Sequence, residues 1–219
     1  MYAKVIKRAI DIVFSLAGLL LLSWLFLIII IAIKINSSGP IFFNQKRVGA
    51  KKKYFNIHKF RTMYTDAPKD VPTHMLADSN SHITSVGAFL RKTSLDELPQ
   101  LWNVLVGEMS LIGPRPALWN QYDLLEERDK YGANDIVPGI TGWAQINGRD
   151  ELEIEEKARL DGEYVEKLSF WFDVKCFFGT IKSVLKKDGV VEGGTGEIKK
   201  NDEVEHEITK EELVKVGEK

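Results

Sequence analysis

The chain has 219 residues, 44% of them hydrophobic and 28% charged, with a net charge of −1. That length accommodates one domain, or one domain with an appendage, and the apolar content can build a core, so a wholly disordered chain is excluded. A single cysteine, Cys176, excludes an internal disulfide.

The near-neutral total conceals a division. Residues 1–63 carry eleven Lys/Arg against one acid, Asp11; the remainder carries nineteen of the 30 bases and thirty of the 31 acids. A basic half joined to an acidic half predicts that the first meets an anionic surface.

Residues 12–33 are almost wholly apolar. The run is roughly 20 residues, enough to cross a bilayer as a helix. It is too long for a cleaved leader and no small-residue cleavage site follows. Lys4, Lys7 and Arg8 precede it; Lys34, Lys46, Arg47 and Lys51 to Lys53 follow. Positive flanks prefer the cytoplasmic side, so both ends ask for one face. That favours a re-entrant hairpin, with arms of about 11 residues, over a simple span. A bend frees backbone groups that need partners in lipid, and Ser23 sits near the middle, able to bond a freed carbonyl.

Ser37-Ser38-Gly39-Pro40 reads as a turn. Ile41-Phe42-Phe43 and Tyr54 to Phe60 read as the strands of a β-hairpin around Gly49–Lys53. Its lysine-rich tip suits either lipid headgroups or plain solvent. His58 is structural, since no second ligand lies at metal spacing. Residues 64–84 are polar, with Pro68, Pro72 and three Asp, and read as a loop with short helical pieces.

The chain is organised around Thr93-Ser94-Leu95-Asp96-Glu97-Leu98-Pro99-Gln100-Leu101-Trp102-Asn103. Leu95, Leu98, Trp102 and Leu105 recur at helical spacing, and Ser94 with Glu97 matches a capping box, so a helix is expected to start here, a residue or two later if Pro99 intervenes. Asp96 and Glu97 would lie in its first turn, where the helix dipole favours negative charge. Capping alone accounts for most such pairs, but the same terminus suits a phosphate, and Arg91 and Lys92 lie one turn upstream.

Gly113-Pro114-Arg115-Pro116 holds an arginine on stiff backbone, its flat fork of donors matched to phosphate. Residues 117–131 read as a polar helix carrying Glu126, Glu127, Arg128 and Asp129. Pro138 to Arg149 is glycine-rich and offers Trp143, Gln145 and Asn147; a ligand-facing loop is the favoured reading. It lacks the Gly-Lys-Ser/Thr ending of a P-loop. Residues 151–168 form a charged helix with Asp161 and Tyr164. Residues 170–187 are amphipathic, with Phe170, Trp171, Val174, Phe177, Phe178, Ile181, Val184 and Leu185 on one stripe and lysines off it. Such a helix suits a membrane interface or the closing of a core.

Lys59-Phe60-Arg61-Thr62-Met63, Ser94 to Leu98, Gly113 to Pro116 and Pro138 to Arg149, in that order, resemble the small monotopic phosphoglycosyl transferases, the bacterial sugar transferase family. The resemblance covers about residues 1–187. It implies a mainly α fold with a small β-hairpin: a membrane-inserted, re-entrant helix over 1–36 and a compact cytosolic catalytic domain with interfacial amphipathic helices over 37–187; beyond it the charged, glycine-dotted composition of 188–219 reads as a flexible tail. It implies transfer of a sugar-1-phosphate from a UDP-sugar to polyprenyl (undecaprenyl) phosphate, releasing UMP, at the start of glycoconjugate synthesis on the cytoplasmic face of the bacterial inner membrane. Asp96 would match the nucleophile and form an aspartyl-phosphosugar in ping-pong kinetics; Glu97 would match its partner, helping to hold Mg²⁺. Arg91 resembles a phosphate contact and Arg115 a UDP-sugar contact. Pro114, Lys59, Arg61, Gln145 and Arg149 join the substrate-binding set, and Asp161 the metal set. Implied partners are the two substrates, membrane lipid and downstream glycosyltransferases, with no nucleic acid. Where the family has Ser-Pro at its bend, this chain has Ser23-Trp24.

Elementary chemistry agrees with that assignment. A carboxylate attacks an anionic diphosphate only when charge is screened, which Mg²⁺ and fixed arginines do. Two other readings use the same residues: a non-catalytic membrane adaptor, docked by its basic half and recruiting a partner with its acidic tail, and a metal-dependent lipid-diphosphate hydrolase.

Overall fold

The computed structural model describes residues 2–67, 79–148 and 152–186. The 188–219 tail, residues 68–78 of the 64–84 loop and Arg149 lie outside the described residues.

The apolar N-terminal run folds as two helices, α1 (Lys7–Leu21) and α2 (Ser23–Asn36), bent by 60° at Leu22. Among the described residues no single helix is long and apolar enough to cross a membrane; the bent pair passes by length and composition together. The break falls where Ser23 was expected to serve. Its Oγ donates to the Leu20 carbonyl at 2.8 Å, an oxygen that also accepts a backbone N–H at the end of α1.

Neither helix is surrounded by open space. In α1, Asp11 and Ser15 are buried one turn apart, and Gly18 follows on the same face against Leu101. Arg8 donates to the carbonyls of Val104 (2.6 Å) and Leu105 (2.7 Å), satisfying the C-terminal end of α5 (Gln100–Val106). Lys7 pairs with Asp173 at 2.7 Å. Two of the three basic residues preceding the apolar run are therefore engaged by protein. In α2, Ile29 and Ile33 pack with Phe60 and Leu90, while Trp24, Leu27, Ile28, Ile31 and Ile35 are exposed.

The hairpin is as its alternation predicts, with a longer first strand: β1 (Phe42–Val48) pairs antiparallel with β2 (Tyr54–Phe60), Phe42 opposite Phe60 and Val48 opposite Tyr54. Its base joins the α2 cluster through Phe26 and Phe60. Seven residues at about 3.3 Å each put the lysine tip roughly 20 Å from that base. There the Lys51 amide bonds the Asn134 carbonyl at 2.7 Å and Lys52 pairs with Asp129. The tip thus lies at the opposite end of the hairpin from its apolar base, with Lys51, Lys52 and Lys53 exposed.

After α3 (Ser79–His82), α4 (Ser85–Lys92) starts at Thr84, whose Oγ1 accepts from the Gly87 amide at 2.9 Å. The helix expected from Ser94 onward does not form as one piece. Leu95–Glu97 is a single 3₁₀ turn, and α5 starts only at Gln100. Three causes are visible. Pro99 has no N–H to give a helix interior. Ser94 is left-handed (φ 55°) and makes no cap bond. The Glu97 carboxylate points to other partners. Trp102, counted with the core face, is 53% exposed.

A second sheet was not foreseen. β3 (Ser110–Ile112) and β4 (Gly139–Thr141) pair in parallel, Ser110 opposite Gly139 and Ile112 opposite Thr141. α6 (Tyr122–Asp129) lies in the connection that a parallel pair requires. α7 (Trp143–Ile146), α8 (Ile154–Glu166) and α9 (Phe170–Lys186) complete the domain. On α9 the small and polar side faces inward: Asp173, Cys176 and Ser183 are buried, Phe172 packs beneath Trp143, and Asp173 accepts from Tyr164 at 2.6 Å. The aromatic stripe faces out, with Trp171 77% exposed beside Phe177, Phe178 and Ile181. A core-closing role for that stripe is thereby excluded.

Candidate active site

Leu95 and Leu98 pack against the Ile29, Ile33 and Leu90 cluster, which seats the Leu95–Glu97 turn directly on α2. Asn103 fixes the other side: it accepts from the His58 amide (3.0 Å) and donates to the Asn56 carbonyl (2.8 Å), locking α5 to the strand that carries Lys59. A non-glycine residue in left-handed backbone, Ser94, precedes the acids. Such strain persists only where surroundings over-determine it, and it gathers at functional sites.

The two adjacent carboxylates have opposite environments. Lys59 Nζ donates to Glu97 Oε1 at 2.7 Å; Arg115 donates to both Glu97 oxygens, Nη1 reaching Oε2 at 3.2 Å and Nη2 reaching Oε1. Burial opposes charge on Glu97, but Arg115 and Lys59 outweigh it and hold the carboxyl far below the usual range. Asp96 is only 8% exposed. Burial pushes its carboxyl up to about 6, helped by the Glu97 charge and opposed by Lys59, Arg91 and Arg115. One acid is fixed as an anion by a fork and a lysine; its neighbour is a buried carboxyl under the positive charge of Lys59, Arg91 and Arg115, with burial the larger influence.

Lys59, Arg91, the Asp96–Glu97 pair and Arg115 are thus brought together from four separate stretches. Arg91 also donates from Nε to Thr62 Oγ1 at 2.8 Å. Arg61 goes elsewhere: it is buried and donates to the Ser37 carbonyl and hydroxyl (both 2.9 Å) and to the Ser38 carbonyl, tying the turn after α2. Asp161 is fully buried against Arg128, whose Nε donates to Oδ2 at 2.8 Å. Among the described residues no three His, Cys, Asp or Glu gather as a metal site, so Asp161 does not join Asp96 and Glu97.

The glycine-rich loop also reads differently. A Cβ on Gly139 would meet the Gly113 amide nitrogen at 2.1 Å, and one on Gly142 the Gly113 carbonyl oxygen at 2.2 Å. These glycines let two backbone segments touch. Pro114 takes part through its carbonyl, which accepts from the Gly139 amide at 2.8 Å. Trp143 donates to Glu163 at 2.9 Å and stacks under Lys175, so its face is occupied. Gln145 is buried with an unpaired Oε1. The loop is chiefly a brace for the Gly-Pro-Arg-Pro segment, which in turn delivers Arg115.

Sequence reasoning missed Arg128, 3% exposed amid Glu126, Glu127 and Asp129. The available signal was its position four residues after Leu124, on the buried face of α6.

The family profile for bacterial sugar transferases matches residues 2–187, nearly the whole described chain, and the protein belongs to that family. An undecaprenyl-phosphate glucose phosphotransferase of Komagataeibacter xylinus is 44% identical over 186 residues, covering 80% of this chain and 35% of that protein. A UDP-glucose:undecaprenyl-phosphate glucose-1-phosphate transferase of Escherichia coli K12 is also 44% identical, across 81% of this chain and 40% of its own length. The uncharacterized sugar transferase EpsL of Bacillus subtilis is 40% identical over 85% of this chain and 90% of its own. The chain therefore corresponds to about a third to two fifths of the first two relatives and to nearly all of the third.

Proposed function

We propose that this protein transfers a sugar-1-phosphate from a UDP-sugar to polyprenyl phosphate, through a covalent intermediate on Asp96. The observation that carries the reading is the asymmetric pair: a buried Asp96 under the positive charge of Lys59, Arg91 and Arg115, beside a Glu97 already neutralised by Lys59 and Arg115. The names of the relatives, which act on undecaprenyl phosphate, support the acceptor.

An Asp96 oxygen attacks the β-phosphorus of the donor. The bond from that phosphorus to the bridging oxygen breaks, and UMP leaves with the electron pair. The sugar phosphate is then held on Asp96 as an acyl phosphate, a mixed anhydride. A phosphate oxygen of the polyprenyl phosphate attacks the same phosphorus and releases the Asp96 carboxylate. Lys59 and Arg91 offset phosphate charge during both steps, and Arg115 offsets that of the donor diphosphate in the first. Because each substrate meets the enzyme in turn, kinetics are ping-pong.

Mg²⁺ is the cofactor we assign. Mg²⁺ is held by one or two carboxylates plus substrate phosphates and water; Asp96, which takes no directed bond from Lys59 or Arg115, would supply one, and Glu97 would join by exchanging one of those cations for the ion. When bound it supplies charge neutralisation on the diphosphate oxygens.

The protein works at a membrane, on the cytoplasmic face. The support is the exposed apolar surface of α2, bent from α1, together with the outward aromatic stripe of α9 and its flanking Lys175 and Lys182. The re-entrant arrangement of α1 and α2 belongs to this proposal. Cysteines introduced near Tyr2 and Asn44 should label from one side of sealed vesicles.

Purified protein given Mg²⁺, undecaprenyl phosphate and a panel of UDP-sugars should release UMP with at least one of them. Full activity in Asp96→Asn would refute the nucleophile, and inorganic phosphate without lipid-linked sugar would favour a hydrolase.

A further inference from the structure

Arg128 plays no part in the reaction scheme above, yet it is the most deeply engaged cation near it. Its Nε donates to Asp161 Oδ2 (2.8 Å), and its Nη2 donates both to that oxygen and to the main-chain carbonyl of Arg115 (2.9 Å). Burying such a pair in an apolar setting is no route to stability on its own, because desolvation cancels most of the attraction. Placement on the backbone of one particular residue is what the pair achieves.

The neighbouring carbonyls are all held by other groups. Pro114 O accepts from the Gly139 amide (2.8 Å), Pro116 O from Arg47 Nη1 (3.0 Å), and Ala117 O from the Val48 amide (2.9 Å). Four successive carbonyls are pinned, and Arg128 supplies the pin at Arg115 itself. With the flanking pins intact the segment keeps its path when Arg128 changes; the peptide plane of Arg115 is what becomes free to rotate. From that plane the Arg115 side chain must reach Glu97 on one side and the Ile140 carbonyl (3.2 Å) on another.

We propose that Arg128, aimed by Asp161, is the positioning residue for Arg115, and thereby for the donor diphosphate. The second clause rests on the functional reading given above. Arg128 touches neither the acids nor the reacting atoms; it acts through one carbonyl. Asp161 is on this account the anchor of a brace, with its Oδ1 left unpaired by that geometry.

A double-mutant cycle over wild type, Arg128→Lys, Arg115→Ala and the combined variant tests this in the full-length protein. Lysine keeps the charge toward Asp161 but cannot serve the carbonyl simultaneously through a fork. Arg128→Lys should lower kcat/KM for the UDP-sugar by about 10- to 100-fold, the scale of a small misplacement. It should leave kcat/KM for polyprenyl phosphate within about threefold. In the Arg115→Ala background the same change should cost under about threefold, because the residue it positions is gone. Equal losses in both backgrounds, or parallel losses for both substrates, would overturn the proposal, since a general loss of folded enzyme behaves that way. Where Arg128→Lys does not fold, Asp161→Asn takes its place in the cycle.

A second readout needs no turnover. The Nε–H NMR signal of Arg115, assigned by its disappearance in Arg115→Ala, should shift or broaden in Arg128→Lys and stay put in Arg159→Lys, an exposed control. An unmoved signal contradicts the proposal. If wild type releases no UMP with any donor, the functional reading fails, and this signal still decides whether Arg128 positions Arg115.

Discussion

Two buried carboxylate sites in this protein each lie beside an arginine, and they are built to opposite ends. At Asp161 a single guanidinium donates from two nitrogens to one oxygen, at zero solvent exposure. At Asp96 the carboxyl is nearly as buried, but its cations act from around it, and the directed bonds of Lys59 and Arg115 go to Glu97 instead. The first arrangement fixes backbone. The second leaves an oxygen with reason to react. Burial of an acid is therefore not by itself a mark of reactivity; Asp96 is proposed as the nucleophile because the neighbouring donors bond Glu97 instead.

The comparison breaks most visibly at Asp96. Asp96→Asn should lower turnover by at least about 10³-fold while the protein stays folded, measured as UMP release beside a thermal melt. At Asp161 the order reverses. Asp161→Ala strands a buried guanidinium and should cost roughly 3–5 kcal/mol of stability, measured by denaturant unfolding.

The brace between them is the next place to press. Gly139→Ala drives a methyl into Gly113 backbone at 2.1 Å. It should destabilise by about 1–3 kcal/mol, as overpacking does, and lower donor kcat/KM because Arg115 moves with the segment.

pH separates the two acids more gently. In the proposed reaction Asp96 acts charged, and its carboxyl is pushed up to about 6. Donor kcat/KM should therefore fall about tenfold per unit below that pH and level off above it. The same shift has a stability consequence. An acid with a raised native pKa favours the fold at low pH, and the benefit is lost as pH rises through about 6. Asp96→Asn should thus be more stable than wild type at pH 8, on the order of 1–3 kcal/mol, with the gain vanishing near pH 4. The smallest effect belongs to the hairpin tip: Lys51, Lys52 and Lys53 changed to Gln should leave vesicle binding within about twofold, because the tip lies about 20 Å from the apolar base.

How much of this was legible in the sequence depends on how local each cause is. The hairpin and α9 follow from side-chain periodicity, so residues 42–60 and 170–186 could be read in place; the α1–α2 break was inferred only from the positive charge on both flanks of 12–33, since no local residue encodes it strongly. The Asp96–Glu97 pair was visible, but its capping-box reading failed, because Lys59 and Arg115 arrive from distant stretches and claim the glutamate. The glycines at 139 and 142 look like ligand-loop residues until Gly113 is placed against them. Arg61 and Asp161 carry site-like chemistry whose partners, Ser37 and Arg128, only the fold supplies.

The most direct measurement is the mass of the intact protein after incubation with Mg²⁺ and the preferred UDP-sugar in the absence of lipid acceptor, followed by peptide mapping. The account predicts one added sugar phosphate, located on Asp96, that disappears when polyprenyl phosphate is supplied. An unmodified chain while UMP accumulates, or an adduct on any other side chain, would contradict it.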